Sequence, residues 1–311
     1  MKTLLLLALT AVLAGAADPT SLEDRKARAL ALLGRMDFSA ALAEAQSLNR
    51  ASPDDVSGYQ LMAAAQLELG DYDDAEKQLQ WMLDLRIGKA DSQGWLLVAR
   101  FREVTGDLDG ALDAVNLGYG RLAPGEERER LLLASYSARL LYVSGKLDLA
   151  DQTIQRAGNS PEAPSSLMET LARVRLAQGK RQEAIGILRR LAGSYPHPRS
   201  LYLLAEATGT PADFAVFEAS ARAATASPNN ANRELALYYA TRGKQPSKAL
   251  ETARGEVLRR HDVLTLDALA MALFANRQAG EARSTMQRVL AVGTREPLIL
   301  EHASLLGVKR P

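Results

Sequence analysis

Alanine recurs in this chain as pairs set twelve residues apart: Ala29/Ala41, Ala63/Ala75, Ala99/Ala111, Ala138/Ala150, Ala172/Ala184 and Ala270/Ala282. Ala236/Ala249 is the same pair with one residue inserted. With Ala205 counted among the first members, these step along the chain by 34, 36, 39, 34, 33, 31 and 34 residues. A period of that length with two small side chains per period predicts stacked helical hairpins. In such an array each hairpin touches only its neighbours, so 311 residues form one elongated unit rather than two globular domains.

The remaining signals agree with the period. Leu-, Ala-, Glu-, Arg- and Gln-rich stretches alternate with short breaks, and β-branched runs are rare, which favours helix over strand. Gly70, Gly106, Gly145, Gly179 and Gly243 each fall seven residues after the first alanine of their unit, where a left-handed residue is needed to end the first helix. Asp71 and Asp107 follow directly and suit the cap of the next helix. Pro53, Pro196 and Pro228 stand where the second helix should stop.

Gly70-Asp71-Tyr72-Asp73-Asp74-Ala75 and Gly106-Asp107-Leu108-Asp109-Gly110-Ala111 resemble the central turn of the tetratricopeptide repeat. Trp95, Val98 and Ala99 match that family's aromatic, aliphatic and small positions, as do Tyr59, Met62 and Ala63, and Leu266, Leu269 and Ala270. The resemblance covers residues 21 to 292 and implies an all-α, right-handed superhelical solenoid of about eight antiparallel hairpins. The units fall at 22–53, 56–88, 91–124, 128–161, 165–196, 198–228, 230–261 and 263–293, with a capping helix at 295–306. Leu79, Val115, Ile154, Leu188 and Met286 are expected between layers. Leu298, Leu300, Leu305 and Leu306 are expected to cover the exposed end, as solenoids require.

Some units depart from the pattern. Unit six has Phe217 where the second alanine is expected, with a turn Thr208-Gly209-Thr210-Pro211 whose proline can open the next helix. Units one and seven carry an apparent one-residue insertion at the turn, and unit three ends in the longer connection Leu122-Ala123-Pro124-Gly125. The superhelical path is expected to change at residues 120–130 and 205–217.

The N-terminus has the form of a secretory signal over residues 1–16: Lys2, the apolar stretch Leu4 to Leu13, and the small residues Ala14-Gly15-Ala16. A short buried helix or an anchor is the alternative; spanning a bilayer takes about 20 apolar residues. The chain has no Cys, so a lipidated cysteine, disulfides and thiolate zinc sites are excluded. The expected location is the periplasm or the extracellular space, with 17–311 as a single solenoid domain. A net charge of +1 argues against nucleic acid, which needs clustered Lys and Arg, and no integral membrane segment is expected in the mature chain.

Enzymatic chemistry has little support, and no cofactor is expected. His197, His261 and His302 show no metal-ligand spacing, and the His-Glu-x-x-His, Gly-x-Ser-x-Gly and phosphate-loop motifs are absent. All three histidines are expected at the surface. Asp71, Asp73 and Asp74, like Asp107, Asp109 and Asp113, lack the twelfth-position glutamate of a calcium loop, so no metal site is expected.

One constellation points to binding. The residue after the first-helix alanine is Arg100, Arg139 and Arg173 in three consecutive units, and in the family that position lies on the concave face. Packed helices lie about 8–10 Å apart, so the three guanidinium groups can form a row suited to carboxylates. Tyr142 lies one turn beyond Arg139, and Gln60 extends the lining in an earlier unit. The bland alternative is surface ion pairing of Arg100 with Glu103 and of Arg173 with Glu169. Arg139 has no acidic residue three or four positions away and is the leading candidate. The lysine–asparagine clamp of some family members is not reproduced, since Leu30, Ala64 and Arg100 do not supply its asparagines.

Together these readings imply a non-catalytic scaffold in the cell envelope, binding a protein or peptide partner, with an acidic segment as one candidate, in a preorganised groove. The rivals are a helical framework for a cell-wall-active enzyme and a self-assembling, homo-oligomeric solenoid.

Overall fold

The computed structural model describes residues 21–85, 91–157, 163–225 and 232–310. Residues 1–16, expected to be a secretory signal, lie outside them with Pro161 and Pro228, as do the ends of units two, four and six and the start of unit seven. The described residues form seventeen helices and no strand. They pair as eight antiparallel hairpins: α1 (Leu22–Gly34) with α2 (Phe38–Ala51), α3 (Val56–Leu69) with α4 (Tyr72–Leu85), α5 (Ser92–Val104) with α6 (Leu108–Tyr119), and α7 (Glu127–Val143) with α8 (Leu147–Ala157). The second half pairs α9 (Ser165–Ala177) with α10 (Arg181–Ser194), α11 (Pro198–Thr208) with α12 (Pro211–Ala224), α13 (Asn232–Thr241) with α14 (Pro246–Val257), and α15 (Val263–Ala275) with α16 (Ala279–Ala291); α17 (Pro297–Leu305) closes the array.

The alanines are the contact points of this stack: all fourteen paired alanines are at most 1% exposed, so the helices meet at backbone distance there. Leu79, Val115, Ile154, Leu188 and Met286 are buried between layers. In six hairpins the seventh residue after the alanine takes the left-handed turn whether or not it is glycine. Gly70 and Gly106 do so, and so do Met36 in hairpin one and Arg277 in hairpin eight. Hairpin one therefore has no insertion. In hairpin seven the left-handed residue is Lys244 rather than Gly243, as one inserted residue requires.

Phe217 does not interrupt hairpin six. It is fully buried and packs against Tyr202, with ring centroids 5.0 Å apart, and edge-on against Tyr238 at 5.7 Å. An aromatic ring fills the wider gap where hairpin six departs from the alanine spacing. Thr210 caps α12 by accepting from the Asp213 amide, and Pro211 opens the helix. The capping helix runs over 297–305, inside the expected 295–306, and two of the four expected leucines cover the end, Leu306 buried and Leu300 packed against the core. Ile299, His302, Ala303 and Leu306 are buried, whereas Leu305 is 60% exposed. The i, i+3/i+4, i+7 stripe selects one side of a helix, and Leu298 and Leu305 lie off it.

The hairpins do not touch only their neighbours. The array curves until hairpins two and three meet hairpins seven and eight. The His261 amide donates to the Leu69 carbonyl at 2.8 Å, and the Val263 amide donates to the Tyr72 hydroxyl at 3.0 Å. His261 Nε2 lies 3.1 Å from Asp71 Oδ1. Gly70 sits against the backbone of His261 and Asp262, and Gly106 against that of Gly293. Tyr72 and Val104 pack on the cores of both halves. This seam closes the solenoid on itself.

Candidate functional site

First helices line the concave interior, and closure makes two connected cavities of it. The inner one, about 330 Å³, is bounded by residues of α3, α5, α7, α9, α11, α13 and α15. Five arginines, Arg100, Arg139, Arg173, Arg199 and Arg233, face five carboxylates, Glu68, Glu103, Glu169, Asp262 and Glu296. The wider one, about 470 Å³, opens toward α17. Beside Arg139, Arg173, Arg199, Arg233 and Glu296 it carries the apolar or aromatic Tyr202, Leu203, Leu237, Met271, Leu298 and Leu305 and the charged Glu206, Glu234, Arg242 and Glu301.

Two of the ion pairs follow a rule of neighbouring units. A carboxylate near the end of one first helix meets the arginine after the alanine of the next: Glu68 pairs with Arg100, and Glu103 with Arg139 at 2.8 Å. The Tyr136 hydroxyl donates to the second oxygen of Glu103. Glu169 accepts from Arg173 at 3.1 Å and from Arg199 at 3.0 Å. Asp262 holds Arg233 at 3.3 Å. Arg139 makes a second, distant pair: its Nη2 donates to Glu296 Oε2 at 2.8 Å, joining hairpin four to the loop before α17.

These contacts decide the charges. Burial pushes the Glu169 carboxyl up, but Arg199 and Arg173 outweigh it and hold the pKa at about 2. Glu296 is likewise buried, and Arg139, Arg173 and Arg199 hold it below the ordinary value. Burial opposes the charge of Arg139, yet Glu103 and Glu296 more than offset it and keep the guanidinium firmly protonated. Ionised pairs in a partly desolvated groove are held by charge-assisted hydrogen bonds.

Arg100, Arg139 and Arg173 therefore do line one groove, with Tyr142 between Arg139 and Arg173 at the wider cavity, its hydroxyl engaged by Arg173. They are not solvated faces, and they are not unpaired. Arg139 has two carboxylate partners, from 36 and 157 residues away, which local spacing could not supply. Gln60 does not join the row: it donates to Asp91 Oδ1 at 2.9 Å, and Asp91 caps α5. Not every histidine is at the surface either. His302 is buried, with Nδ1 2.9 Å from both oxygens of Asp267. Burial lowers its pKa, but the hydrogen bond and charge of Asp267 prevail and raise it. His197 caps α11 through its ring nitrogen. Glu68 and Glu103 were within reach of the repeat register, since each lies about one turn beyond its unit's alanine; Glu296 had no sequence signal.

A self-closed stack of helical hairpins with a lined interior defines a repeat scaffold of the α-solenoid class. A family model for the tetratricopeptide repeat matches residues 61–127 and 169–208. Those two segments carry tetratricopeptide repeats, and the chain resembles that family. No curated protein matches its sequence. Among solved structures it is similar to the human IFIT1 dimer with PPP-AAAA, at 14% identity over 87% of this chain and 72% of that one, with a TM-score of 0.56. It is similar to an IFIT1 monomeric mutant with Gppp-AAAA, at 13% identity over 92% and 72%, with a TM-score of 0.57. The APC/C hetero-tetramer Cut9–Hcn1 aligns with 93% of this chain at 14% identity and a TM-score of 0.51, and this chain spans half (50%) of that one. At such identities the likeness is one of fold.

Proposed function

We propose that this protein is a non-catalytic interaction scaffold of the cell envelope that holds a segment of a protein partner in its concave groove. Tetratricopeptide repeats support the scaffold reading. The observation that carries the groove reading is the wider cavity, where Tyr202, Leu203, Leu237, Met271, Leu298 and Leu305 form an apolar mouth beside the arginine–carboxylate interior. Apolar contacts with a few convergent polar groups suit a peptide segment. Five arginines matched by five carboxylates leave no net positive interior, so the PPP-AAAA and Gppp-AAAA named for the IFIT1 neighbours do not suit this groove.

The charge state of the groove favours binding over catalysis. A glycosidase-type general acid needs a carboxyl kept protonated by a raised pKa. Glu169 and Glu296 are shifted the other way; burial raises Asp267, but both its oxygens are engaged by His302. The envelope assignment rests on residues 1–16, and N-terminal sequencing of the exported protein should begin at Ala17.

Leu305 is 60% exposed at the mouth, so Leu305→Asp leaves the packing face of α17 intact. Affinity capture from the native envelope should recover a partner with the wild type and lose it with Leu305→Asp. Equal recovery of the same partner by both proteins would place its binding elsewhere.

A further inference from the structure

We infer that Arg139, Arg173 and Arg199 form a site for one partner carboxylate, and that Glu296 of this chain is its resident occupant in the closed ring. The inference rests on the groove reading above and names the chemistry of that groove's polar end.

The first helices leave these three arginines with only two ion-paired carboxylates. Three arginines stand together at the junction of the two cavities. Neighbouring first helices supply two carboxylates: Glu103 to Arg139, and Glu169 to Arg173 and Arg199. Glu296 supplies the third paired carboxylate, and it comes from outside the row of first helices. It lies in the loop between α16 and α17 and reaches across the interior to hairpin four. All three arginines act on it, Arg139 most strongly, and hold it ionised. A carboxylate brought by a partner residue meets the same three guanidinium groups.

The loop carrying Glu296 also forms part of the seam. Gly293, three residues before Glu296, packs against Thr105 and Gly106 of hairpin three. Withdrawal of Glu296 thus loosens the contact that narrows the groove, and an entering acidic segment exchanges with it. An intramolecular occupant competes at an effective concentration that for short tethers reaches the millimolar range. Removing it raises the apparent affinity by the fraction of molecules it had blocked.

The test is fluorescence anisotropy with a labelled, end-blocked pentaglutamate peptide at low ionic strength. Glu296→Gln keeps the shape of the side chain and removes its charge. It should bind the peptide at least tenfold more tightly than the wild type, and adding Arg139→Ala to that variant should abolish the gain. Added salt should weaken Glu296→Gln more than the wild type. Should Glu296→Gln fail to fold, Glu296→Asp, with a carboxylate one carbon shorter, should show a smaller gain in the same direction. Binding by the folded variant no tighter than by the wild type, including no binding by either, overturns the inference. Partner capture that remains sensitive to Leu305→Asp in that event leaves the groove reading standing and removes only the carboxylate site.

Discussion

Gly106 and Gly293 meet backbone to backbone across the seam. A Cβ on Gly106 would strike the Gly293 carbonyl, and a Cβ on Gly293 would strike that of Thr105. Both residues are left-handed, with φ of 87° and 104°. The contact is what a full turn of hairpins adds to an otherwise local architecture, in which stability comes from adjacent repeats alone.

Gly106→Ala should therefore open the ring. The left-handed backbone alone costs about 1–2 kcal/mol for a residue with a Cβ, and the collision cannot be relieved by rotating a side chain. Gly145→Ala and Gly179→Ala supply the control, because both glycines are left-handed but have nothing within 4 Å of a new Cβ. Small-angle scattering should show a larger radius of gyration for Gly106→Ala only, with helical circular dichroism retained in all three. An unchanged radius for Gly106→Ala would mean that the seam does not hold the ring.

Removing His302 should damage the C-terminal cap. Asp267 is 1% exposed and has both oxygens on His302 Nδ1. His302→Leu strands that carboxylate, and breaking a buried charged pair costs roughly 3–5 kcal/mol. Asp267→Leu/His302→Leu removes both partners and should recover part of the loss. Urea denaturation compares the three proteins, and a double variant no better than the single one would argue against the buried charge as the cause.

Acid should weaken the groove through Glu169. Its folded pKa of about 2 lies below the ordinary 4.5, so its contribution is present above pH 4.5 and is lost as pH falls toward about 2. Glu169→Gln should be less stable at neutral pH by roughly 1–3 kcal/mol, since Arg173 and Arg199 lose a charged acceptor. It should also show a flatter stability curve across that acid window. Parallel curves for the two proteins would contradict the assignment.

Phe217→Ala should cost roughly 3–5 kcal/mol, the usual penalty for emptying an aromatic site in a core. Its ring is fully buried against Tyr202 and Tyr238. The alanine found at the equivalent place in other hairpins is no substitute here, because hairpin six has built its spacing around the ring. Thermal unfolding should show the loss, and near-wild-type stability would mean the hairpin can close over the gap.

The hairpins were legible because every signal for them is local. Two alanines per period, a left-handed turn after each first helix and proline at helix boundaries all act within one unit. Even so, Met36, Lys244 and Arg277 show that the turn geometry belongs to the stack rather than to glycine: the packed helices impose a left-handed residue at that place even where the side chain disfavours it. The arginine row was equally readable, since a fixed register puts Arg100, Arg139 and Arg173 on one face. The error at Gln60 has the same origin. A register names a face, but the helix-capping Asp91 one unit away takes the side chain for itself.

Sequence by itself determined the period, the helical hairpins, the buried alanines and the face on which the arginines stand, because each depends on residues within one repeat or the next. Tertiary structure alone decided that the array closes and what the arginines meet when it does. Closure sums a small rotation over many hairpins, and no single unit records that sum. Arg139 and Glu296, 157 positions apart, become partners only once the turn is complete, and with that the open positive row expected from the sequence becomes a balanced and occupied interior.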